Sequence, residues 1–392
     1  MNELVVLGDL ATVIDCEHKT APPARPGEEF GYSIGTRDLR GGLMDLQAAK
    51  RVSREVFEAW TRRGVPSAGD LILAREAPVG QVAYVTGEYP VCLGQRTVLI
   101  RVNESRVDSR YLHSRLLAPD TQAWMGDRST GSTVAHFNVA DVREIPLPDL
   151  PPIDEQLRIA GVLGAFDDLI ETDRSAVRRV LDLSRALFSD VARKAGTEVR
   201  LGDAVVVNPD KVTVGALDEP LRYLDIAGLE DGSSTTPPEA RWAEAPSRAR
   251  RGAKEGDTLW ATVRPNRRGH ALLTPKPDHL VVSTGIAVLR PVEIGPAFLF
   301  AATDDELFSE HLTRRADGSA YPAVRANAFE DALIPLPDKP ELDRFERTMW
   351  PIWQAAGELL SEATELQSIR DELLPLLMSG RITVDEAWEA VS

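Results

Sequence analysis

The stretch Ile145-Pro146-Leu147-Pro148-Asp149 returns letter for letter as Ile334-Pro335-Leu336-Pro337-Asp338, 189 residues later (334 less 145) in a chain of 392. An exact five-residue echo about half a chain apart is the spacing of a duplicated half. Further echoes keep the same order. Val5-Val6-Leu7-Gly8-Asp9 is matched by Val199-Arg200-Leu201-Gly202-Asp203, and the segment around Tyr32 by the one around Tyr223. Gly69-Asp70 before an apolar run is matched by Gly256-Asp257, and Gly131-Ser132 with Asn138 by Gly318-Ser319 with Asn327.

Each copy of the motif separates two kinds of pattern. Ahead of the first lie short β-like runs, Leu71 to Ala74, Gln81 to Val85 and Thr97 to Val102, bounded by Gly, Pro and Asp turns. After it, Ile159, Leu163, Phe166, Ile170, Val177, Leu181, Leu187 and Val191 trace one stripe of a helix, with Asp154 expected as its N-cap. About 39 residues at 1.5 Å each give roughly 58 Å. After the second copy, Phe345, Met349, Ile352, Ala356, Leu359, Ala363, Leu366, Ile369, Leu373 and Leu376 form a like stripe, with Pro351 expected to kink or interrupt it.

The fold class expected is α+β: two tandem mixed α/β domains, each followed by a long helix. The two helices are expected to pair as an antiparallel coiled coil, since one strand-rich domain cannot cover so long a stripe. The alternative is two unrelated helices, each covering its own domain. The expected boundaries are residues 1–150, a central helix 151–196, a second domain 197–338, and a C-terminal helix and tail 339–392.

With 43% hydrophobic and 27% charged residues the chain reads as globular, and no apolar run approaches the ~18 residues that span a bilayer. MNELVVLGDLATVIDCEHK has no basic leader before its apolar stretch, so a cytoplasmic protein is expected. Cys16 and Cys92 lack any C-x-x-C spacing and read as buried thiols rather than a disulfide or a zinc site.

This order of parts resembles the specificity subunit of Type I restriction-modification systems, the HsdS family, along essentially the whole chain. The resemblance is carried by GSTVAHFNVADVREIPLPDLPPIDEQ at 131–156, LLPLLMSGRITV at 373–384 and VIDCEHKTAP at 13–22. Pro340-Glu341-Leu342-Asp343 departs from the P-x-x-E-Q form found at Pro152 to Gln156. The resemblance implies a subunit without chemistry of its own, whose two target recognition domains each contact half of a split double-stranded DNA target. The helices would fix the gap between half-sites. Two modification (methyltransferase) subunits carrying S-adenosylmethionine would dock on it, with restriction subunits that use ATP and magnesium. The chain itself would bind no cofactor or metal. A non-catalytic protein-binding scaffold built of two duplicated domains is the alternative.

Two readers on one face of B-DNA sit about one turn, roughly 34 Å, apart, a separation that helices of this length can span. A formal net charge of −16 argues against phosphate binding until its distribution is considered. Residues 154–192 hold eight acids against five bases and 341–378 eight against three, so half the excess lies on the helices. Residues 241–270 hold eight bases against three acids. The candidate DNA contacts in the second half are therefore Arg248, Arg250, Arg251, Lys254, Arg264, Asn266, Arg267 and Arg268, with Ser319 and Arg325. In the first half they are His18, Lys19, Thr20, Arg75, Gln95, Arg96, Arg128, Ser129, Thr130 and Ser132. Arg and Asn pair bidentately with guanine and adenine edges.

Catalytic signals are weak. Asp9 with Glu17-His18-Lys19 mimics a nuclease carboxylate-lysine set, but its counterpart Asp203 has no E-x-K after it. The Pro-Pro pairs lack the neighbours of an adenine methyltransferase motif, no Walker A loop is present, and the six histidines are scattered, with His136 and His279 reading as structural. The isolated chain is therefore expected to show no magnesium-dependent cutting, methyl transfer or ATP hydrolysis. Cutting that disappears in Glu17→Ala would contradict this reading.

Overall fold

The computed structural model describes residues 5–46, 49–76, 78–129, 136–147, 150–213, 215–216, 218–318 and 321–391. The chain divides into two compact units, Met1–Glu171 with Glu365–Ser392, and Thr172–Thr364. The division passes through two long helices, Ile153–Lys194 and Lys339–Met378, so that each unit contains part of each.

In the first unit a four-stranded antiparallel sheet has the order Ala11–Asp15, Thr97–Val102, Leu71–Ala74, Val82–Tyr84. A three-stranded sheet has the order Lys50–Ser53, Glu29–Ile34, Val91–Leu93. The central strand Leu71–Ala74 is buried along its whole length. Strand side chains alternate between faces: Leu71 and Leu73 join a core with the helices, while Ile72 and Ala74 join a second core with Ile34, Val91 and Leu93 of the smaller sheet. The helix-side core also holds Ile159, Leu163 and Phe166 of the first long helix and Leu373, Leu374 and Leu377 of the second.

The second unit repeats this plan. Val205–Val207, Ile286–Pro291, Thr258–Ala261 and His270–Leu272 stand in the order of their counterparts, with Asp231–Gly232 added at the edge. Glu239–Arg241, Pro220–Leu224 and Leu280–Ser283 repeat the smaller sheet, again with a parallel pair. Trp260 faces the helix-side core, and Leu259 and Ala261 the other. Val177, Leu181, Phe188 and Val191 from the first long helix and Phe345, Met349, Trp353 and Ala356 from the second complete the helix-side core.

The repeated words acquire physical reasons. In the Leu-Gly-Asp copies, a Cβ on Gly8 would lie 3.2 Å from the Arg143 carbonyl oxygen and one on Gly202 3.0 Å from the Glu330 Cβ. A side chain at either position would crowd the short helices Val139–Arg143 and Ala326–Glu330, and glycine avoids that crowding. Asp70 accepts the Ser67 N–H and grips Arg101, and Asp257 does the same with the Lys254 N–H and Arg290. Asn138 and Arg325 occupy the N-cap positions of the two short helices, so Arg325 rather than Asn327 is the structural counterpart of Asn138.

The Ile-Pro-Leu-Pro-Asp copies lie against the start of their units two residues out of step. Leu7 N–H donates to Ile145 O at 2.9 Å, whereas its counterpart Leu201 donates to Ala332 O at 2.8 Å. Ile334 instead pairs with Val199. A two-residue slip leaves the same strand face inward, and Ile145, Leu147, Ala332 and Ile334 are all buried. Asp338 then caps the second long helix, accepting the Glu341 N–H at 3.0 Å; Pro148 and Asp149 lie outside the described residues.

Two expectations about the helices change, and the departure at residues 340–343 finds a reason. The first begins at Ile153, placing Asp154 in its first turn rather than at the cap. The second runs through Pro351 unbroken; Pro351 and Arg347 are both exposed, so water can serve the carbonyl that the proline deprives of a donor. The missing P-x-x-E-Q form is replaced in function. Gln156 accepts the Asp108 N–H at 3.0 Å, tying its helix to the start of Ser109–Leu117, and Glu346 accepts the Ala297 and Phe298 N–H groups at 3.2 Å at the start of Pro296–Asp304.

Burial pushes the Glu346 carboxyl up, opposed by those two N–H groups. The folded carboxyl thus holds its proton more tightly than the unfolded one, and its contribution to stability is lost as pH rises through the raised value. Glu346→Gln keeps an acceptor without the charge, so its Tm should rise relative to the parent's between about pH 4 and about pH 8. A Tm difference independent of pH would contradict this placement.

Candidate nucleic-acid interface

In the first unit, residues far apart in sequence meet where strands Ala11–Asp15, Leu71–Ala74 and Thr97–Val102 end. The Thr20 hydroxyl donates to Gln95 Oε1 at 3.2 Å, Gln95 Nε2 to His18 O at 3.4 Å, and Trp60 Nε1 to Lys19 O at 3.4 Å. Arg75 N–H donates to Arg96 O, and Phe137 N–H to Arg75 O. His18, Lys19, Thr20, Gln95 and Arg96 are exposed along this edge. Arg75 is not: its guanidinium is buried against Phe137 O and Asp15, so it braces the edge from inside. Arg128 lies apart, over the Trp124 ring at the end of helix Pro119–Arg128, and Ser129 turns back to Gly126 O. Thr130 and Ser132 lie outside the described residues.

The second unit builds the matching edge. Thr284 N–H donates to Arg248 O, Thr262 N–H to Gly285 O, Val324 N–H to Thr262 O and Arg264 N–H to Pro322 O. One chain of backbone bonds thereby gathers Arg248, Arg264 and Arg325. Arg264, in left-handed backbone at φ 52°, lays its guanidinium 4.5 Å over the ring of Tyr321. Tyr321 is 70% exposed, an aromatic surface that composition and charge did not single out. Asn266, Arg267 and Lys254 are exposed, whereas Arg250 and Arg251 are half-buried and bond to Ala249 O and Ile286 O. Burial lowers the pKa of Arg251. Ser319 lies outside the described residues.

Arg268 serves the interior. Its Nη2 reaches Asp304 Oδ1 at 2.7 Å and the Asp304 carbonyl at 2.6 Å. Arg185 of the first long helix bonds the same carboxylate at 2.7 Å, and His270, stacked between Trp260 and Phe300, approaches it at 3.1 Å. Burial alone would raise the Asp304 pKa, but His270 and Arg185 hold it down at about 2. The first unit has a parallel cluster in which Arg370 of the second long helix bonds Asp167 at 2.6 Å and Gly41 O at 2.8 Å, beside buried His113. Desolvation lowers the pKa of His113.

Asp231, His270 and Asp304, and likewise Asp15, Cys16 and His18, lie close enough together to share a cation. In the first set the two guanidinium groups already take the carboxylates; in the second Asp15 is engaged with His18 and Arg75. Both cysteines are buried, and desolvation pushes the Cys92 thiol up to about 11.

Arg267→Ala should leave stability within about 0.5 kcal/mol and reduce the salt slope of DNA binding by roughly one phosphate contact. Arg268→Ala should instead cost about 1–3 kcal/mol, because it removes a partner from a buried carboxylate. Urea unfolding and salt titration separate the two, and equal stabilities would contradict the assignment.

Residues 38–178 match the family model for the Type I restriction modification DNA specificity domain. The Type I restriction enzyme MjaIX specificity subunit of Methanocaldococcus jannaschii is 23% identical over 348 residues, covering 81% of this chain and 78% of that protein. The MjaVIII specificity subunit of the same organism is 21% identical, covering 74% of each. The solved S subunit of a Type-I restriction-modification system from M. genitalium matches with TM-score 0.49 and 15% identity over 96% of this chain and 97% of its own. No helix among the described residues is long and apolar enough to cross a membrane. Residues 38–178 thus match a Type I DNA specificity domain, and along most of its length the chain is similar to the specificity subunits of Type I restriction-modification systems.

Proposed function

We propose that the chain is the sequence reader of a Type I restriction-modification complex, with each unit recognising one half of a split double-stranded DNA target. The observation that supports this most is the same strand-end edge built twice, lined in one unit by His18, Lys19, Gln95 and Arg96 and in the other by Arg248, Arg264, Arg267 and Arg325. A shared backbone with different polar side chains suits two readers of different sequences. The long helices, paired antiparallel as a coiled coil, act as the spacer, and their acidic surfaces face protein rather than phosphate.

The chain supplies no catalytic group, cofactor or metal ligand. Two modification subunits dock on it with S-adenosylmethionine, and restriction subunits bring ATP and magnesium. The assembly works in the cytoplasm.

The test is binding of the chain, assembled with its modification subunit, to duplexes altered in one half-site at a time. Replacing Arg264 and Arg267 together by Ala should cost about 1–3 kcal/mol through one half-site and spare the other. Equal loss at both, or an assembly that binds no duplex in a salt-dependent way, would overturn the reading in favour of a protein-binding scaffold.

A further inference from the structure

The two edges make the same backbone bonds but carry different side chains at the matched positions. Arg75 N–H to Arg96 O and Phe137 N–H to Arg75 O in the first unit correspond to Thr262 N–H to Gly285 O and Val324 N–H to Thr262 O in the second. Glu76 bridges to His136 as Val263 bridges to Ala323. Where the second unit has Val263, Gly285 and Ala323, the first therefore has Glu76, Arg96 and His136. The backbone bonds do not depend on these three side chains, because the second unit makes the same bonds without them, although Gly285 does not share the left-handed backbone of Arg96.

In the first unit they are interlocked. The Glu76 carboxylate, 14% exposed, holds the Arg96 guanidinium at 2.8 Å and His136 Nδ1 at 2.5 Å, and His136 Nε2 lies 3.1 Å from Asn138 Oδ1. Arg96 is half-exposed and sits at φ 70°, a left-handed conformation that glycine adopts without strain and arginine does not. An arginine kept in strained backbone at a surface edge points to a task for its side chain.

We propose that Arg96 is the specificity-determining residue of the first unit's edge and recognises guanine, with Glu76 and His136 as positioning residues; this rests on the DNA-reading function above. A guanidinium fork donates in parallel to guanine O6 and N7. Fixing it on a carboxylate before DNA arrives removes rotamer entropy that binding would otherwise cost. The carboxylate, enclosed between Arg96 and His136, does not present bare negative charge to phosphate.

The full chain, assembled with its modification subunit, is tested on a duplex library randomised through both half-sites. The parent should prefer guanine at a position of the first half-site. Arg96→Gly should lose that preference by roughly 5- to 150-fold, the worth of one bidentate contact. Glu76→Gln should lose most of it, with the second half-site profile unchanged in both variants. The Tm of Arg96→Gly should not fall, since glycine fits the left-handed backbone. Guanine preference surviving in either variant overturns the proposal, as does equal loss in both half-sites, which would mean that the substitution acts through the fold. A parent without base preference in either half-site overturns the DNA-reading function itself, and this proposal with it.

Discussion

Burial of the two long helices' apolar stripes is the constraint on which the rest depends. Ile159, Leu163 and Phe166 complete one core and Val177, Leu181, Phe188 and Val191 another, although all lie on one continuous helix. The second helix is divided likewise, between Phe345, Met349, Trp353 and Ala356 and Leu373, Leu374 and Leu377. Each fully buried side chain of this kind contributes about 1.5–3 kcal/mol, an upper estimate for burial from an extended chain. Three or four from each helix half are comparable with the whole stability of a domain. Neither sheet-rich unit is complete without both helices.

The arginines divide into two populations with different work. Arg185, Arg268 and Arg290 are spent on Asp304, Asp231, Asp257 and Asp210, and Arg370 on Asp167. Breaking a buried pair leaves an uncompensated charge, so these residues resist change even though replacing a whole pair need not destabilise. Arg96, Arg264 and Arg267 stand at the strand-end edges. A net charge of −16 therefore misleads as a guide to DNA binding, because much of it lies on helix surfaces while the edges keep exposed cations.

Much of this was legible in the sequence because it is local or periodic. The repeat showed the two units, and the 3.6-residue spacing marked Ile159, Leu163, Phe166 and Ile170, all of which are buried. Phe188, Trp353, Leu374 and Leu377 lie off the expected stripes, because a helix half packed against a sheet as well as other helices buries a wider face than one seam requires. The fate of the arginines was illegible for a different reason. Arg75 is buried by Asp15 and Phe137, about 60 residues away in either direction, and Arg268 by Asp304. Residue type and a neighbouring proline or glycine locate a basic loop, but only tertiary contacts decide which of its members face water.

The central claim is that duplicated readers are held at a distance set by the helices, and changing helix length tests it most directly. Four residues inserted on the exposed face of the first long helix add about 6 Å while nearly restoring its 3.6-residue phase, so the stripe still faces inward. With DNA rising about 3.4 Å per base pair, a screen over duplexes of randomised gap should show preference for a target one or two base pairs longer between unchanged half-sites. An insertion variant that folds, assembles and keeps the original gap would contradict the account.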